Sequence, residues 1–317
     1  MTISKTGGGA NAPSPVHSGD SPLLGVSMAV IAFLMLSLMS LFAKLLSETH
    51  NVIEIAFWRN LIAVLPFVAM ILLLGRWDML KIRSRPGIIA MRAVVGTMNL
   101  ILVFGAFSLL PMADATSLIF ASALFTPVLG VFYLGESVGP YRASAVIVGF
   151  IGVIIVAQPG GEGAWNIAGV TMAISAAFFA ATLAIMLRFL GQSESPETVT
   201  FYFLLLGALF LAPFMPFLGT WPTAQEIPLL LGLGISGALM QITLTMAFKY
   251  AQAALVSPLT YTQIIWATFF GWAVFGDIPT LNIIIGSAII VASSLIVILR
   301  ERYLARQGRL KRPPTGA

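Results

Sequence analysis

Ten stretches of about twenty apolar residues, separated by short polar breaks, fill the chain from residue 23 to residue 299. A helix of that length crosses a hydrocarbon core of roughly 30 Å. Backbone facing lipid must satisfy its own hydrogen bonds, and a single apolar stretch can do so only as a helix. Cutting at charges, Pro/Gly pairs and polar clusters places the spans near 23–46, 53–74, 87–109, 112–134, 141–158, 165–190, 197–219, 227–250, 253–275 and 280–299. The fold class this defines is an all-α polytopic membrane protein with ten transmembrane helices. Charged residues make up 9% of the chain, against roughly 25% in soluble domains, so the partner along most of its surface is the lipid bilayer. Residues 1–22 read as a disordered tail and 300–317 as a basic one.

The basic residues fix an orientation. Call the face that holds the N-terminus side A. Fourteen of the seventeen Lys and Arg residues fall there, among them Arg76, Lys81, Arg83, Arg85, Lys249 and the tail from Arg300 onward. Side B receives Lys44 alone, and Arg59 and Arg92 lie within spans. Positive charge concentrates on cytoplasmic loops, so side A is expected to be cytoplasmic, with both termini inside and the protein in a bacterial inner membrane. The same placement argues against nucleic acid as a partner, despite a net charge of +5, because the bases flank spans and form no binding stripe.

Several function classes drop out. The chain has no cysteine, and its two histidines, His17 and His50, have no neighbours at metal-ligand spacing. No GxxxxGK[ST] loop is present to cradle nucleotide phosphates. Neither a metal nor a cofactor is therefore expected. An enzyme would have to work with Asp114 and isolated hydroxyls, so none is expected either. A cleavable signal peptide is not expected, since the charged leader and small-residue cleavage site are missing.

The halves repeat. LGVSMAV at 24–30 aligns with AGVTMAI at 168–174, and the same shift of 144 places Lys44 on Arg188. YLGE at 133–136 aligns with VFGD at 274–277, a shift of 141. Each half, 23–158 and 165–299, holds five spans. Because five is odd, the second copy enters the membrane from the opposite side, and the pseudo-two-fold axis lies in the membrane plane, as in many secondary transporters.

On these residues the chain resembles the drug/metabolite transporter superfamily, and within it the ten-helix EamA-type transporters. The resemblance runs over roughly 24–300. It is carried by FWRNLIAVLPF (57–67), LLPMADATSLIFASALFTPVLGVFYLGESVGP (109–140), GFIGVIIV (149–156) and SPLTYTQIIWATFFGWAVFGD (257–277). In the second half Asp277 stands where the family has glutamate. The resemblance implies alternating-access movement of a small organic solute, such as an amino acid or vitamin, through a central cavity without ATP. A membrane channel or a structural membrane protein without carrier activity is the alternative.

Polar groups inside spans are functional candidates, because charge within the bilayer is costly. Arg59 lies about six residues, roughly 9 Å, into the second span. Flanked by Trp58 and Asn60, it is read as an anion-binding or gating group, or as a packing arginine. Arg92, nearer a helix end, is expected to snorkel to the interface. Asp114 begins the fourth span as a helix-terminus acid or a proton-coupling group. Asn99, Ser117, Gln241, Tyr261, Gln263 and Trp266 lie on repeat-related spans and can converge on one cavity; the alternatives are that the Ser117 hydroxyl bonds its own helix backbone and that Tyr261 and Trp266 serve packing. Gly149, Gly152 and Gly286 put small residues on the fifth and tenth spans. Such faces allow close helix approach, within the chain or in a peripheral homodimer contact.

Overall fold

The computed structural model describes residues 22–134, 140–157, 166–190, 193–251, 256 and 258–310. The tail expected over 1–22 therefore lies outside the described residues almost entirely, as does Glu136. Helix α1 is Pro22–Leu46, α2 Val52–Leu74 and α3 Pro86–Leu109. The fourth span is divided into α4 (Met112–Ile119) and α5 (Ser122–Leu134), and α6 is Pro140–Ala157. The second half begins with α7 (Ile167–Leu190) and α8 (Pro196–Leu211). A 3-10 turn over Ala212–Phe214 carries α8 into α9 (Met215–Leu218), after which come α10 (Ile227–Tyr250) and α11 (Thr262–Phe270). A π-helical turn, Gly271–Phe275, closes the ninth span, and α12 runs Leu281–Leu310, past the expected span end at 299. Among the described residues, seven helices are long and apolar enough to cross a membrane, and shorter apolar helices fill the fifth, ninth and tenth positions.

Local chemistry sets the ends. Asn51 caps α2 by accepting from Ile53 N at 2.9 Å, and Ser195 caps α8 by accepting from Thr198 N at 3.1 Å. Gly75 ends α2 in the left-handed conformation, φ 64°.

The packing shows the repeat directly. Exchanging the halves maps α1 onto α7, α2 onto α8, α3 onto α10, the α4/α5 span onto α11 and α6 onto α12. The largest contacts between the halves map onto one another under that exchange. Helix α1 packs on α10 as α3 packs on α7, and α3 meets α8 as α10 meets α2. Helices α2 and α8, and α6 and α12, meet their own counterparts, and the fourth span meets the ninth through α4 and α11. Each half thus lends its first and third helices to the other.

The small-residue faces find their partner inside the chain. A Cβ on Gly152 would lie 2.9 Å from Gly286 O, and one on Gly286 would lie 2.8 Å from Gly152 O. Gly149 is covered by Leu124 of α5. The glycines on α6 are therefore spent on close crossings within the chain.

Both middle spans, expected as single helices, are broken. Around Phe120–Ala121 the bonds close over three residues, Ala121 N to Leu118 O at 3.0 Å and Leu124 N to Ala121 O at 2.9 Å. The ninth span does the same around Thr260–Tyr261, with Tyr261 N to Pro258 O at 3.2 Å and Ile264 N to Tyr261 O at 3.2 Å. Pro258 lacks an N–H and contributes to the second break. The first has no proline at the break itself, while Pro66 passes through α2 without interrupting it. Under the shift of 141, Phe120 corresponds to Tyr261, and the two rings touch edge to face, centroids 5.2 Å apart. The breaks therefore meet each other on the axis of the repeat.

Candidate functional site

A polar cluster sits where α2, α3 and α8 meet. Arg59 is 1% exposed. Its Nη1 donates to Asn60 Oδ1 at 2.9 Å, and its Nε has no partner among the described residues. The guanidinium lies over the Phe203 ring of α8, 5.5 Å from the centroid. Over the same ring, at 4.3 Å, lies the guanidinium of Arg92 from α3. The expectation that Arg92 snorkels to the interface is overturned. A Cβ on Gly96, one turn deeper, would collide with Arg92 Nη1, so the glycine leaves a slot along which the side chain turns inward to the ring. Gly96 lies ten residues into α3, and Gly237, beside Arg59 Nε, lies ten residues into α10 from the opposite face. Both positions are about 15 Å deep at 1.5 Å per residue, and both guanidiniums sit at mid-membrane.

The shift that places Lys44 on Arg188 also places Trp58 on Tyr202 and Arg59 on Phe203. The cation and the ring that faces it are repeat counterparts, so this cluster too lies on the axis. Asn60 Nδ2 and Thr97 Oγ1 are buried without partners. Both point toward Gly207, where a Cβ would lie 2.6 Å from the first and 2.7 Å from the second.

On side B the ends of α3, α4, α6, α7 and α12 and the close of the ninth span surround a cavity of about 440 Å³ lined by Asp114, Asn166, Thr268 and Asp277, among others. Lys44 Nζ donates to Leu110 O at 2.8 Å, stands 3.8 Å from Asp277 Oδ2 and lies 4.7 Å from the centre of the Phe275 ring. Gly276, at φ 72°, reverses the chain after the π turn and delivers Asp277 to this position. Lys44 ties the first half to the second where Asp114 and Asp277 share a cavity. Lys44→Met should therefore destabilise the protein by about 1–2 kcal/mol, and much of that loss should vanish when Asp277→Asn is already present. A double-mutant cycle on the melting transition measures this, and additive losses would show that the two groups are not coupled.

The remaining sequence candidates are spread along the same interior. Trp58 turns away from Arg59 into a groove shared with Glu54, Met215 and Trp221. Ser117 Oγ donates to Ala113 O at 2.7 Å and meets Ser287 Oγ at 2.6 Å, so its hydroxyl ties α4 to α12. Asn99 Oδ1, Asp114 Oδ1 and Trp266 Nε1 are buried without hydrogen-bond partners. Gln241 and Gln263 are half-buried and accept at their carbonyls from Thr245 Oγ1 at 2.8 Å and Ser37 Oγ at 3.4 Å.

Carboxylates clamp the loops at both faces. On side A, Glu194 accepts from the backbone N–H groups of Arg83, Ser84 and Arg85, the shortest bond being 2.8 Å. Partial burial pushes its carboxyl up, but these amides outweigh that and hold it below the usual carboxylate range. On side B, Glu226 accepts from Thr223 N and Thr223 Oγ1, both at 2.8 Å, which draws its pKa down to about 2. Buried His50 stands between Glu226 and Glu54, at 3.6 and 3.8 Å.

Interlocked halves, paired helix breaks and buried polar clusters on a shared axis define a multi-pass membrane protein built to bind or pass a small solute. The chain belongs to the EamA-like transporter family, whose model matches it twice, over 23–158 and 167–299. It is a small-molecule transporter and not an enzyme. Among similar proteins, the pseudopaline exporter of Pseudomonas aeruginosa (strain UCBPP-PA14) is 30% identical over 274 residues, covering 86% of this chain and 94% of that protein. The riboflavin transporter of Vibrio cholerae is 33% identical over 63% of this chain and 66% of its own length. The S-adenosylmethionine uptake transporter of Rickettsia bellii is 28% identical over 88% and 94%. A crystal structure matches the fold with a TM-score of 0.61 at 19% identity, covering 90% of this chain and 98% of the other.

Proposed function

We propose that the protein is a secondary, ATP-independent transporter that moves a small organic metabolite by alternating access, with a substrate in the range of amino acids, vitamins and related compounds. The observation that carries this reading is the pair of broken spans meeting at Phe120 and Tyr261 on the axis that relates the halves. Broken helices at the interface of inverted repeats are where transporters place their binding sites, because backbone freed from helical bonding is tolerated only against protein or a water-lined path. The halves 23–158 and 165–299 are the bodies that move against each other, and a homodimer contact, if formed, uses faces other than the α6–α12 crossing. Arg59, Asn60, Asn99, Gln241, Tyr261, Gln263 and Trp266 are assigned to the solute path, and Asp114 to its side B mouth. Pseudopaline, riboflavin and S-adenosylmethionine, named for the relatives, support the metabolite class. They do not agree on direction, one being exported and another taken up.

Placement in a bacterial inner membrane, with both termini cytoplasmic, rests on the fourteen bases of side A. Proteoliposomes without nucleotide, screened with labelled members of these classes, are the test. Saturable uptake with counterflow is expected. Flux that stays linear in solute concentration would favour a channel, and strict dependence on added ATP would overturn the reading. A C-terminal fluorescent-protein fusion should glow while the corresponding phosphatase fusion stays silent. The reverse pattern would invert the assigned orientation.

A further inference from the structure

The cluster around Arg59 holds an imbalance that packing does not explain. Two guanidiniums meet at mid-membrane over one ring, and among the described residues neither forms an ion pair. Donor nitrogens on both lack acceptors among the described residues: Nε of Arg59, and Nε and Nη1 of Arg92. Asn60 Nδ2 and the Thr97 hydroxyl beside them are unpartnered as well, and both residues are 0% exposed. A buried charge without a counter-charge is costly, and a buried donor without an acceptor adds to that cost. Phe203 offsets part of it through its π face, but a ring accepts none of these N–H bonds in their plane. Glycine at 96, 207 and 237 clears space around the polar heads where any other residue would crowd them. The cluster has donors from two helices and, among the described residues, no acid, which is the complement of an anionic oxygen group.

We propose that Arg59 and Arg92, with Asn60 and Thr97, bind the oxyanion group of the transported solute, a carboxylate or phosphate, at the centre of the membrane. This rests on the carrier reading above and names its substrate class. A guanidinium offers a planar fork that fits two oxygens of one such group, and two forks approaching from opposite membrane faces would receive it from either side. Arg92 is thereby a binding residue, and Phe203 the surface against which both cations are held.

The test is ligand-dependent stabilisation of the purified full-length protein. Succinate and inorganic phosphate are titrated against sodium chloride at matched ionic strength and against uncharged succinamide. A ligand that binds the folded state alone raises its melting temperature with concentration. At least one oxyanion should give a saturable rise that chloride and succinamide do not. Whichever of succinate and phosphate acts identifies carboxylate or phosphate as the preferred group. Arg92→Gln should raise the half-maximal concentration roughly tenfold or more, as expected for losing a charged hydrogen bond. Thr97→Val should raise it less. If Arg92→Gln does not fold, Arg92→Lys takes its place, retaining charge but losing the fork, and should still weaken binding. No saturable rise with either anion, or an unchanged half-maximal concentration in the folded Arg92 variant, would overturn the proposal. The outcome is separable from the carrier reading. Saturable flux of solutes lacking an oxyanion would leave the carrier and remove this site. Oxyanion binding without counterflow would do the reverse.

Discussion

Gly152→Leu should cost about 3 kcal/mol, at the upper end for overpacking, and lower the melting temperature by roughly 6–12 °C. The reason is the reciprocity of the α6–α12 crossing. The Cβ of a new residue at 152 would meet Gly286 O at 2.9 Å, and Gly286 stands in the same relation to Gly152 O at 2.8 Å. Backbone stands among the obstacles on both sides, so moving the neighbouring side chains does not clear the space, and the helices must separate. Between helices in a bilayer, close packing supplies the attraction that burial from water supplies elsewhere, so separation is not recovered by another term. Gly286→Leu should behave alike. Gly87, with nothing within 4 Å of its Cβ position, is the control, and Gly87→Ala should be neutral. Thermal unfolding monitored by size exclusion reads all three. A Gly152→Leu protein as stable as wild type would mean that α6 and α12 do not cross at this point.

Arg59 should respond to two substitutions in opposite ways. Arg59→Ala removes the stem as well as the charge and leaves a cavity among Met39, Phe203 and Gly237, so a loss of about 2–5 kcal/mol is expected. Arg59→Met fills similar volume with an apolar, adaptable chain. It also removes a buried cation whose one hydrogen bond among the described residues goes to its neighbour Asn60. Replacing a buried charge by a well-packed apolar residue is often neutral or stabilising by 1–4 kcal/mol, so Arg59→Met should melt at or above the wild-type temperature. A position kept for packing would lose stability in both variants, and a fall of several degrees in Arg59→Met would assign Arg59 that role. The contrast needs no knowledge of the solute.

How far the sequence reveals this depends on which property is asked for. Span number and class follow from hydrophobic length, because the bilayer imposes one thickness on every crossing. The repeat is legible because two blocks keep nearly one shift, and the pairing of the main contacts that the halves exchange follows from it. The Gly152–Gly286 approach was foreshadowed by small residues, though not the choice between an internal and an external partner. The breaks at Phe120 and Thr260 were not legible. Pro258 stands at the second break alone, and nothing local in the sequence marks the first. Arg92 was misplaced because depth along a helix says nothing about which way a flexible side chain turns. Gly96, four residues on, was the available signal. Phe203 could also have been found, since the repeat shift lays it on Arg59. The Lys44–Asp277 tie joins residues far apart in sequence, and the isolation of Lys44 on side B was the one hint.

The exchange of helices between halves also bears on how the protein is made. Arg59 and Arg92 reach the membrane early in translation, but the ring that faces them is on α8 and the glycine beside Arg59 is on α10. Until Gly237 has left the ribosome, the first half holds two guanidiniums within the bilayer and no surface to shelter them. α1 likewise waits for α10, and α3 for α7. The first five helices are therefore not a separate folding unit. Biogenesis must hold them, at the insertion machinery or by contact with a chaperone, until their partners arrive, and a chain stopped midway presents membrane quality control with a charged, unpaired half.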